Sequence, residues 1–136
     1  MNYALIEELI SKGKNIRILY VEDDEIARDA MCGVLENLFD CVTLASNGKE
    51  GLEKFKSGDF DIVFTDINMP VMDGITMIQE IKLLSDATLF LVLSASREAD
   101  EFENIANLKV DGHLFKPINM NAMVEKLLEI IDKIKK

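Results

Sequence analysis

Residues that cross-link a chain or bind soft metals are scarce in this sequence. Its 136 residues include two cysteines and one histidine, and Cys32 and Cys41 show neither the CxxC nor the CxxH spacing of a metal site. We therefore expect no disulfide and no zinc site. Both cysteines are predicted to be small buried side chains, as is typical of a cytoplasmic protein.

Positive charge is also scarce, because 15 lysines and arginines stand against 25 acidic residues, for a net charge of -10. Nucleic acids and anionic membranes attract proteins with a basic surface, so we expect neither as a direct partner. No apolar run is long enough to span a bilayer, and the N-terminus lacks the apolar core of a signal peptide. These absences predict a cytoplasmic protein.

The sequence does contain a regular alternation of short apolar runs and longer amphipathic stretches. The chain length fits one domain, and 49% of the residues are apolar. Apolar residues at helical spacing fill the gaps between the runs, for example Met123, Leu127 and Ile131 near the C-terminus. The runs are predicted strands, because they are rich in β-branched and aromatic residues. They are Ile16–Val21, Cys41–Ala45, Ile62–Thr65, Leu89–Ser94 and Gly112–Phe115.

This alternation predicts an α/β fold, a doubly wound parallel sheet of five strands with helices on both faces. We predict one domain over residues 16–136. Residues 1–15 stand outside the alternation as an N-terminal extension, which forms either a short amphipathic helix ending at Gly13 or a frayed segment. The apolar residues of that possible helix are Leu5, Ile6, Leu9 and Ile10.

Polar side chains follow four of the five predicted strands, at the point where each strand ends. In parallel α/β sheets this edge carries the ligand sites. Strand order is not visible in a sequence, so the acids meet only if the first and third strands are neighbours. The side chains are Glu22, Asp23 and Asp24 after the first strand, Asp66 after the third, Ser94 at the end of the fourth and Lys116 after the fifth.

Residues 21–25 read VEDDE, which places four acids in a row beside a predicted buried strand. At an effective dielectric constant of about 20, two carboxylates roughly 5 Å apart repel by about 3 kcal/mol, so a cation is expected here. Carboxylates without histidine or cysteine favour Mg²⁺, which keeps open positions that a phosphate can take. A carboxylate beside Mg²⁺ is also a nucleophile for phosphoryl transfer, and a lysine and a hydroxyl stabilise the transferred charge.

Four motifs, ILYVEDDE, TDINMPVMDG, LSA and KPI, stand in this order along the chain. Together they resemble the receiver domain of bacterial two-component response regulators, over about residues 16–132. The resemblance implies a flavodoxin-like (βα)5 fold and a phosphorylatable signalling switch in a phosphorelay, not an enzyme. It also implies that a phosphohistidine on a histidine kinase or a histidine phosphotransfer protein donates the phosphoryl group.

The resemblance implies a role for each matching residue. Asp66 is the phosphoacceptor, and Lys116, which is expected to precede a cis bond to Pro117, pairs with the phosphoryl oxygens. Ser94 is the hydroxyl that moves to bond the phosphoryl group and so reports its presence. Mg²⁺, which Mn²⁺ can replace, is bound by four residues: Asp23, Asp66, the backbone carbonyl of Asn68 and, through a water, Glu22.

Three positions depart from the family pattern. His113 stands where relatives carry a switching Tyr or Phe, so it is either a structural residue or a switch that depends on pH. Lys109 replaces a glycine at a helix end, so either Asn107 takes the left-handed conformation or the helix ends differently. Neither Asn68 nor Ser96, at positions that modulate dephosphorylation in the family, is a carboxylate.

Several other acids have structural interpretations. Asp24 and Glu25 are predicted to cap and begin the helix after the first strand, where the helix dipole offsets their charge. Asp73 is predicted to lie near the N-cap of the third helix of the alternation. A further acidic group is interpreted as a solvated helix face, and it comprises Glu98, Asp100, Glu101 and Glu103.

Three other functions are open: a scaffolding receiver that is never phosphorylated, a Mg²⁺-dependent phosphohydrolase that forms an aspartyl phosphate, and a flavodoxin-like cofactor binder. The full set of acids, hydroxyl and lysine disfavours the first. The phosphohydrolase is disfavoured because Asn68 stands where such enzymes carry a second aspartate. The cofactor binder is disfavoured because the turn after the first strand is acidic and would repel a phosphate.

The output of the switch is not readable from the sequence. Phosphorylation is expected to change the face formed by the fourth helix, fifth strand and fifth helix of the alternation, which then controls an unknown effector protein or domain. We expect either a monomer or a phosphorylation-dependent dimer, and either a stand-alone receiver or part of a longer protein.

Overall fold

The computed structural model describes residues 3–95 and 99–134. The strands are β1 (Arg17–Val21), β2 (Cys41–Ala45), β3 (Ile62–Asp66), β4 (Leu89–Ser94) and β5 (Gly112–Phe115). The helices are α1 (Tyr3–Lys12), α2 (Glu25–Leu38), α3 (Gly48–Ser57), α4 (Gly74–Leu84), α5 (Ala99–Leu108) and α6 (Met120–Ile134). Every predicted strand is present, with bounds that differ from the prediction by at most one residue.

The five strands are parallel and form one sheet in the order β2-β1-β3-β4-β5. This is the flavodoxin-like order of a doubly wound sheet, as predicted. Strands β1 and β3 are therefore neighbours, which was the condition for the acids at their carboxyl ends to meet. Within the described ranges, no helix has both the length and the apolar composition that crossing a bilayer requires.

Helices cover both faces of the sheet, so the strand side chains divide between two apolar clusters. On one face, Ile18 and Tyr20 of β1 join the cluster that packs against α1, α2 and α6. On the other face, Leu19 and Val21 of the same strand join the cluster that packs against α3, α4 and α5. Successive strand residues enter opposite clusters, which explains why the strands read as continuous apolar runs.

The described part of the N-terminal extension, residues 3–15, contains the docked helix α1. Leu9 is fully buried in the cluster shared with α2 and α6. Lys12 Nζ donates to Asp132 Oδ1 of α6 at 3.1 Å, and the N–H of Gly13 closes the helix on the Leu9 carbonyl at 2.7 Å. The extension is therefore packed against the same core as the strands.

The prediction that both cysteines are buried is wrong. Cys41 is exposed because it begins β2, an edge strand of the sheet, and Cys32 is half-buried on α2. Cys32 Sγ donates to Glu36 Oε1 at 2.8 Å. This hydrogen bond, together with burial, raises the pKa of the Cys32 thiol to about 11. Both cysteines are free, as predicted.

The end of α5 decides between the two alternatives for this turn: Asn107 stays within α5, and the helix ends one residue later, at Leu108. Lys109 itself takes the left-handed conformation, with φ of 56°, and its N–H bonds to the Ala106 carbonyl at 3.2 Å. A residue with a Cβ is strained in this region, which is why glycine is common at helix ends. Lys109 therefore adopts the backbone conformation that glycine usually has at this turn, and its backbone is strained.

Candidate functional site

The acids of VEDDE and Asp66 meet at one edge of the sheet. Val21 lies opposite Thr65 in the pairing of β1 with β3, so Glu22 and Asp23 follow β1 beside the end of β3. Carboxylate oxygens of Glu22, Asp23 and Asp66 lie within 4.8 Å of one another. Glu22 and Asp66 are buried, whereas Asp23 is exposed, so the cluster opens to solvent on one side.

Lys116 brings a positive charge to the two buried acids. It follows β5 and precedes a cis bond to Pro117, as predicted. Its Nζ donates to Asp66 Oδ2 at 2.9 Å and to Glu22 Oε1 at 3.2 Å. One long side chain thus connects the carboxyl ends of β1, β3 and β5, although β4 separates β5 from the other two strands.

Backbone N–H groups hold the remaining carboxylate oxygens. Asp66 Oδ1 accepts from the N–H of Ile67 at 2.8 Å, and Glu22 Oε2 accepts from the N–H of Asp24 at 3.2 Å. Burial raises the pKa of Glu22; the Asp24 N–H opposes this shift and the charge of Asp66 adds to it. Burial disfavours the charge of Lys116, but its bonds to Asp66 and Glu22 outweigh burial and raise the pKa of the amine.

The donor set fits Mg²⁺. Three carboxylates supply oxygen ligands beside a solvent-exposed opening, and no histidine or cysteine of the described ranges joins that group. Magnesium prefers oxygen ligands and retains several waters, whereas zinc would require nitrogen or sulfur. The single ammonium of Lys116 does not neutralise three carboxylates, so a divalent cation beside Asp23 is electrostatically favoured.

Two capping aspartates fix the loops on either side of the site. Asp24 caps α2 and Asp73 caps α4, each by accepting a backbone N–H through its side chain, at 3.1 Å and 2.8 Å. Both caps are as predicted. Gly74 begins α4 directly beside the site, and a Cβ there would collide with the carbonyl oxygen of Asp66. Glycine is therefore required at that position.

Ser94 and His113 contact each other next to the acids. Ser94 ends β4 and is fully buried, and its Oγ lies 3.2 Å from His113 Nε2, a hydrogen bond whose direction depends on the histidine tautomer. The His113 ring packs against Phe115 and Phe102, with centroids 4.5 and 5.7 Å away. The two residues that the resemblance assigns to switching are thus joined, and their roles stay predictions.

Asn68 contacts an acid that the sequence interpretation missed. Asn68 Nδ2 donates to Glu101 Oε1 of α5 at 3.0 Å, and the Glu101 side chain is half-buried. The interpretation of Glu101 as part of a solvated helix face is therefore wrong. Asp100 and Glu103 are exposed as interpreted, while Glu98 and Ser96 lie outside the described residues. No local pattern could reveal the contact, because its partners are 33 residues apart.

Comparison with known proteins places the chain in one family. Residues 18–128 match the family model described as the response regulator receiver domain. Chemotaxis protein CheY-3 of Vibrio cholerae is 33% identical over 124 residues, which cover 89% of this chain and 95% of CheY-3. YesN of Bacillus subtilis, an uncharacterized transcriptional regulatory protein, is 33% identical over 88% of this chain, but the match spans only 33% of YesN.

Solved structures show the same relationship. A CheY-like response regulator receiver domain protein from Methanospirillum hungatei has a TM-score of 0.82 to this chain. The two are 26% identical, and the match covers 88% of this chain and 96% of that one. The range matched by the family model contains the acidic cluster, the lysine and the buried serine described above. The chain therefore belongs to the response regulator receiver domain family of two-component systems.

Proposed function

We propose that this protein is a phosphorelay switch in which Asp66 accepts a phosphoryl group from a phosphohistidine. Receiver domains of two-component systems act as signalling switches. The observation that carries the proposal is the placement of Asp66, whose buried carboxylate pairs with Lys116 at 2.9 Å and lies within 4.8 Å of Glu22 and Asp23. A nucleophile, a fixed ammonium and oxygen ligands for a metal are what phosphoryl transfer requires.

In the transfer step, a carboxylate oxygen of Asp66 attacks the phosphorus of the donor. The P–N bond to the donor imidazole breaks, and its electron pair returns to the imidazole, which takes up a proton. Lys116 holds Asp66 in position and balances the charge on the phosphoryl oxygens. When bound, Mg²⁺ neutralises further negative charge on those oxygens. The residues proposed to hold it are Glu22, Asp23, Asp66 and the backbone carbonyl of Asn68.

The switching step follows from the contact between Ser94 and His113. We propose that Ser94 Oγ leaves His113 Nε2 and bonds a phosphoryl oxygen, which frees the His113 ring to move. Because that ring packs against Phe102 of α5 and Phe115 of β5, its movement alters the face formed by α5, β5 and α6. That face would control an effector protein or domain in the cytoplasm.

Receiver domains interact with histidine kinases or histidine phosphotransfer proteins, as in the complex of Ypd1 with the Ssk1 receiver domain of Saccharomyces cerevisiae. We propose one of these as the donor for this chain. The transfer itself can be tested without the donor, because a small acyl phosphate carries the same phosphoryl group.

Labelling by acetyl phosphate tests the function. With Mg²⁺ present we expect one phosphoryl group per chain, stable in acid and labile in base, and without Mg²⁺ we expect almost none. Asp66→Asn should abolish the label. Asp24→Asn is the matched control, because asparagine also caps a helix and Asp24 lies outside the proposed metal set. Undiminished labelling of Asp66→Asn would overturn the site.

A further inference from the structure

Glu101 is an acid near the site that the proposed reaction does not use. Its Oε1 accepts from Asn68 Nδ2 at 3.0 Å. Its Oε2 is buried, and within the described part of the chain it has no hydrogen-bond partner. A buried polar atom without a partner is unfavourable, more so when it carries charge. The hydrogen bond from the Asn68 amide to Oε1 offsets part of this cost.

The Asn68 amide lies close to the phosphoacceptor in sequence. Asn68 is two residues beyond Asp66, in the loop between β3 and α4. Its side chain carries N–H donors of the kind that bond phosphoryl oxygens. In the structure that amide is directed to Glu101 instead. A phosphoryl group on Asp66 that draws this amide toward itself would break its hydrogen bond to Glu101.

The first turn of α5, which carries Glu101, packs against β5. Phe102, the next residue, packs against Phe115 and His113, with ring centroids 5.3 and 5.7 Å away. Glu101 thus reaches Asn68 from a helix that is anchored on β5. The packing of Phe102 therefore places the helix from which the Glu101 side chain contacts Asn68.

We propose that Glu101 is a positioning residue that opposes the phosphorylated state of Asp66. It holds the Asn68 amide away from the phosphoryl position. It also keeps a negative charge near the phosphoryl group, which itself carries up to two negative charges. This inference rests on the proposed function, because it assigns Glu101 a role in the same phosphoryl site. Removal of the Glu101 charge should therefore stabilise the phosphorylated state of Asp66.

Binding of beryllofluoride, which mimics the phosphoryl group, tests this role without turnover. The chain has no tryptophan, so titration calorimetry in Mg²⁺ is the suitable measurement. We expect Glu101→Gln to lower the Kd about threefold, the size of one unit-charge interaction through hydrated protein. Glu101→Ala should lower it further, because it also frees the Asn68 amide.

Glu103→Gln is the matched control, because Glu103 is an exposed acid of the same helix and the change in net charge is the same. It should keep the Kd of the parent. In an Asn68→Ala background, Glu101→Ala should gain less than in the parent, since there is no amide left to free. A purely structural role for Glu101 would change the free energy of unfolding. The Glu101 variants would then bind beryllofluoride with the same Kd as Glu103→Gln, and the effect of Glu101→Ala would be the same with and without Asn68.

The outcomes separate this inference from the proposed function. If the parent binds beryllofluoride and both Glu101 variants bind it no more tightly than Glu103→Gln, the role of Glu101 is overturned. Weaker binding by the Glu101 variants overturns it as well. If the parent binds no beryllofluoride and acetyl phosphate does not label Asp66, the proposed function itself is wrong.

Discussion

At the scale of single residues, Lys116 is the cation that stabilises the resting site. It bonds Glu22 and Asp66, whose side chains are only 1% and 8% exposed. A buried carboxylate that loses its partner keeps its desolvation penalty and loses the compensating attraction. Without a metal, Lys116 is therefore what makes two buried acids compatible with the fold.

Replacement of Lys116 by methionine should show this dependence. We expect Lys116→Met to lower the free energy of unfolding by about 2 kcal/mol without metal, less than for a fully buried pair because the lysine is partly exposed. Saturating Mg²⁺ should make the loss smaller, since a divalent cation then balances the acids. Urea unfolding with and without Mg²⁺ measures both values.

Lys126→Met is the control for that experiment, because Lys126 pairs with an exposed acid, Glu129, one turn away on α6. It should change the free energy of unfolding by less than about 0.5 kcal/mol and show no response to Mg²⁺. An equal loss for Lys116→Met in both conditions would mean that the lysine does not substitute for the metal.

The residues of the site differ in how far the sequence could predict them. Glu22, Asp23, Asp66 and Lys116 could be predicted because each follows a recognisable strand and parallel strands end at one edge. Glu101 could not be predicted, since its contact with Asn68 depends on how α5 lies against the loop after β3. Its neighbours in sequence are acids that do face solvent.

At the scale of elements, helix α1 is part of the packed structure. Leu9 is fully buried, whereas Ile10, the next residue, is 39% exposed. We expect Leu9→Ala to cost about 3 kcal/mol of unfolding free energy and to increase cleavage of α1 in limited proteolysis. Ile10→Ala is the control and should cost less than about 1 kcal/mol. Similar small losses for both variants would mean that α1 does not pack as described.

The end of α5 allows a second test at this scale. Lys109→Gly should raise the free energy of unfolding by about 0.5 kcal/mol, because relief of the left-handed strain exceeds the entropy that glycine loses on folding. Lys109→Ala keeps the Cβ and should give no gain. Thermal unfolding of the parent and the two variants measures these differences. Equal stability of the Gly and Ala variants would mean that Lys109 is not strained.

The sequence could not predict this helix end, because tertiary contacts determine it. Two residues after Lys109, the N–H of Asp111 bonds to the Phe90 carbonyl at 2.9 Å, and the N–H of Phe90 donates to Asp111 Oδ2 at 2.8 Å. These bonds fix the entry into β5. The chain must turn within the two residues before it, and Lys109 takes the strained conformation.

At the scale of the whole molecule, metal binding should be linked to folding and to pH. Ligands that bind the folded state stabilise it, so Mg²⁺ at about 100 times its Kd should add about 2.7 kcal/mol to the free energy of unfolding. Asp23→Asn should remove most of this gain. Urea unfolding at several Mg²⁺ concentrations measures it.

The pH dependence of that gain follows from Glu22. Burial raises its pKa above 4.5, so the folded protein favours the protonated form. The contribution of Glu22 to stability is therefore complete below pH 4.5 and is lost as the pH rises through the raised pKa. Mg²⁺ needs the carboxylate, so its stabilising effect should be larger at pH 7 than at pH 4.5. Equal gains at the two values would contradict a role for Glu22 in the metal site.

The overall architecture could largely be predicted, because strands buried on both faces and amphipathic helices have distinct apolar patterns. Strand order could not be predicted from the apolar patterns, since nothing in the pattern of β1 or β3 says that they are neighbours. It was implied only by the resemblance to receiver domains. Only the packed sheet brings Glu22 and Asp66 together. The burial of Cys41 was predicted wrongly for the same reason, because the edge position of β2 depends on strand order.

Chemical trapping of the phosphorylated residue is the most direct test of phosphoryl transfer to Asp66. Borohydride reduces an aspartyl phosphate to homoserine, and peptide mass spectrometry then locates the changed residue. After treatment with acetyl phosphate and Mg²⁺, we expect homoserine at position 66 and not at the neighbouring acids Asp23 and Asp24. Homoserine at another aspartate, or at none while phosphate is incorporated, would contradict Asp66 as the phosphoacceptor.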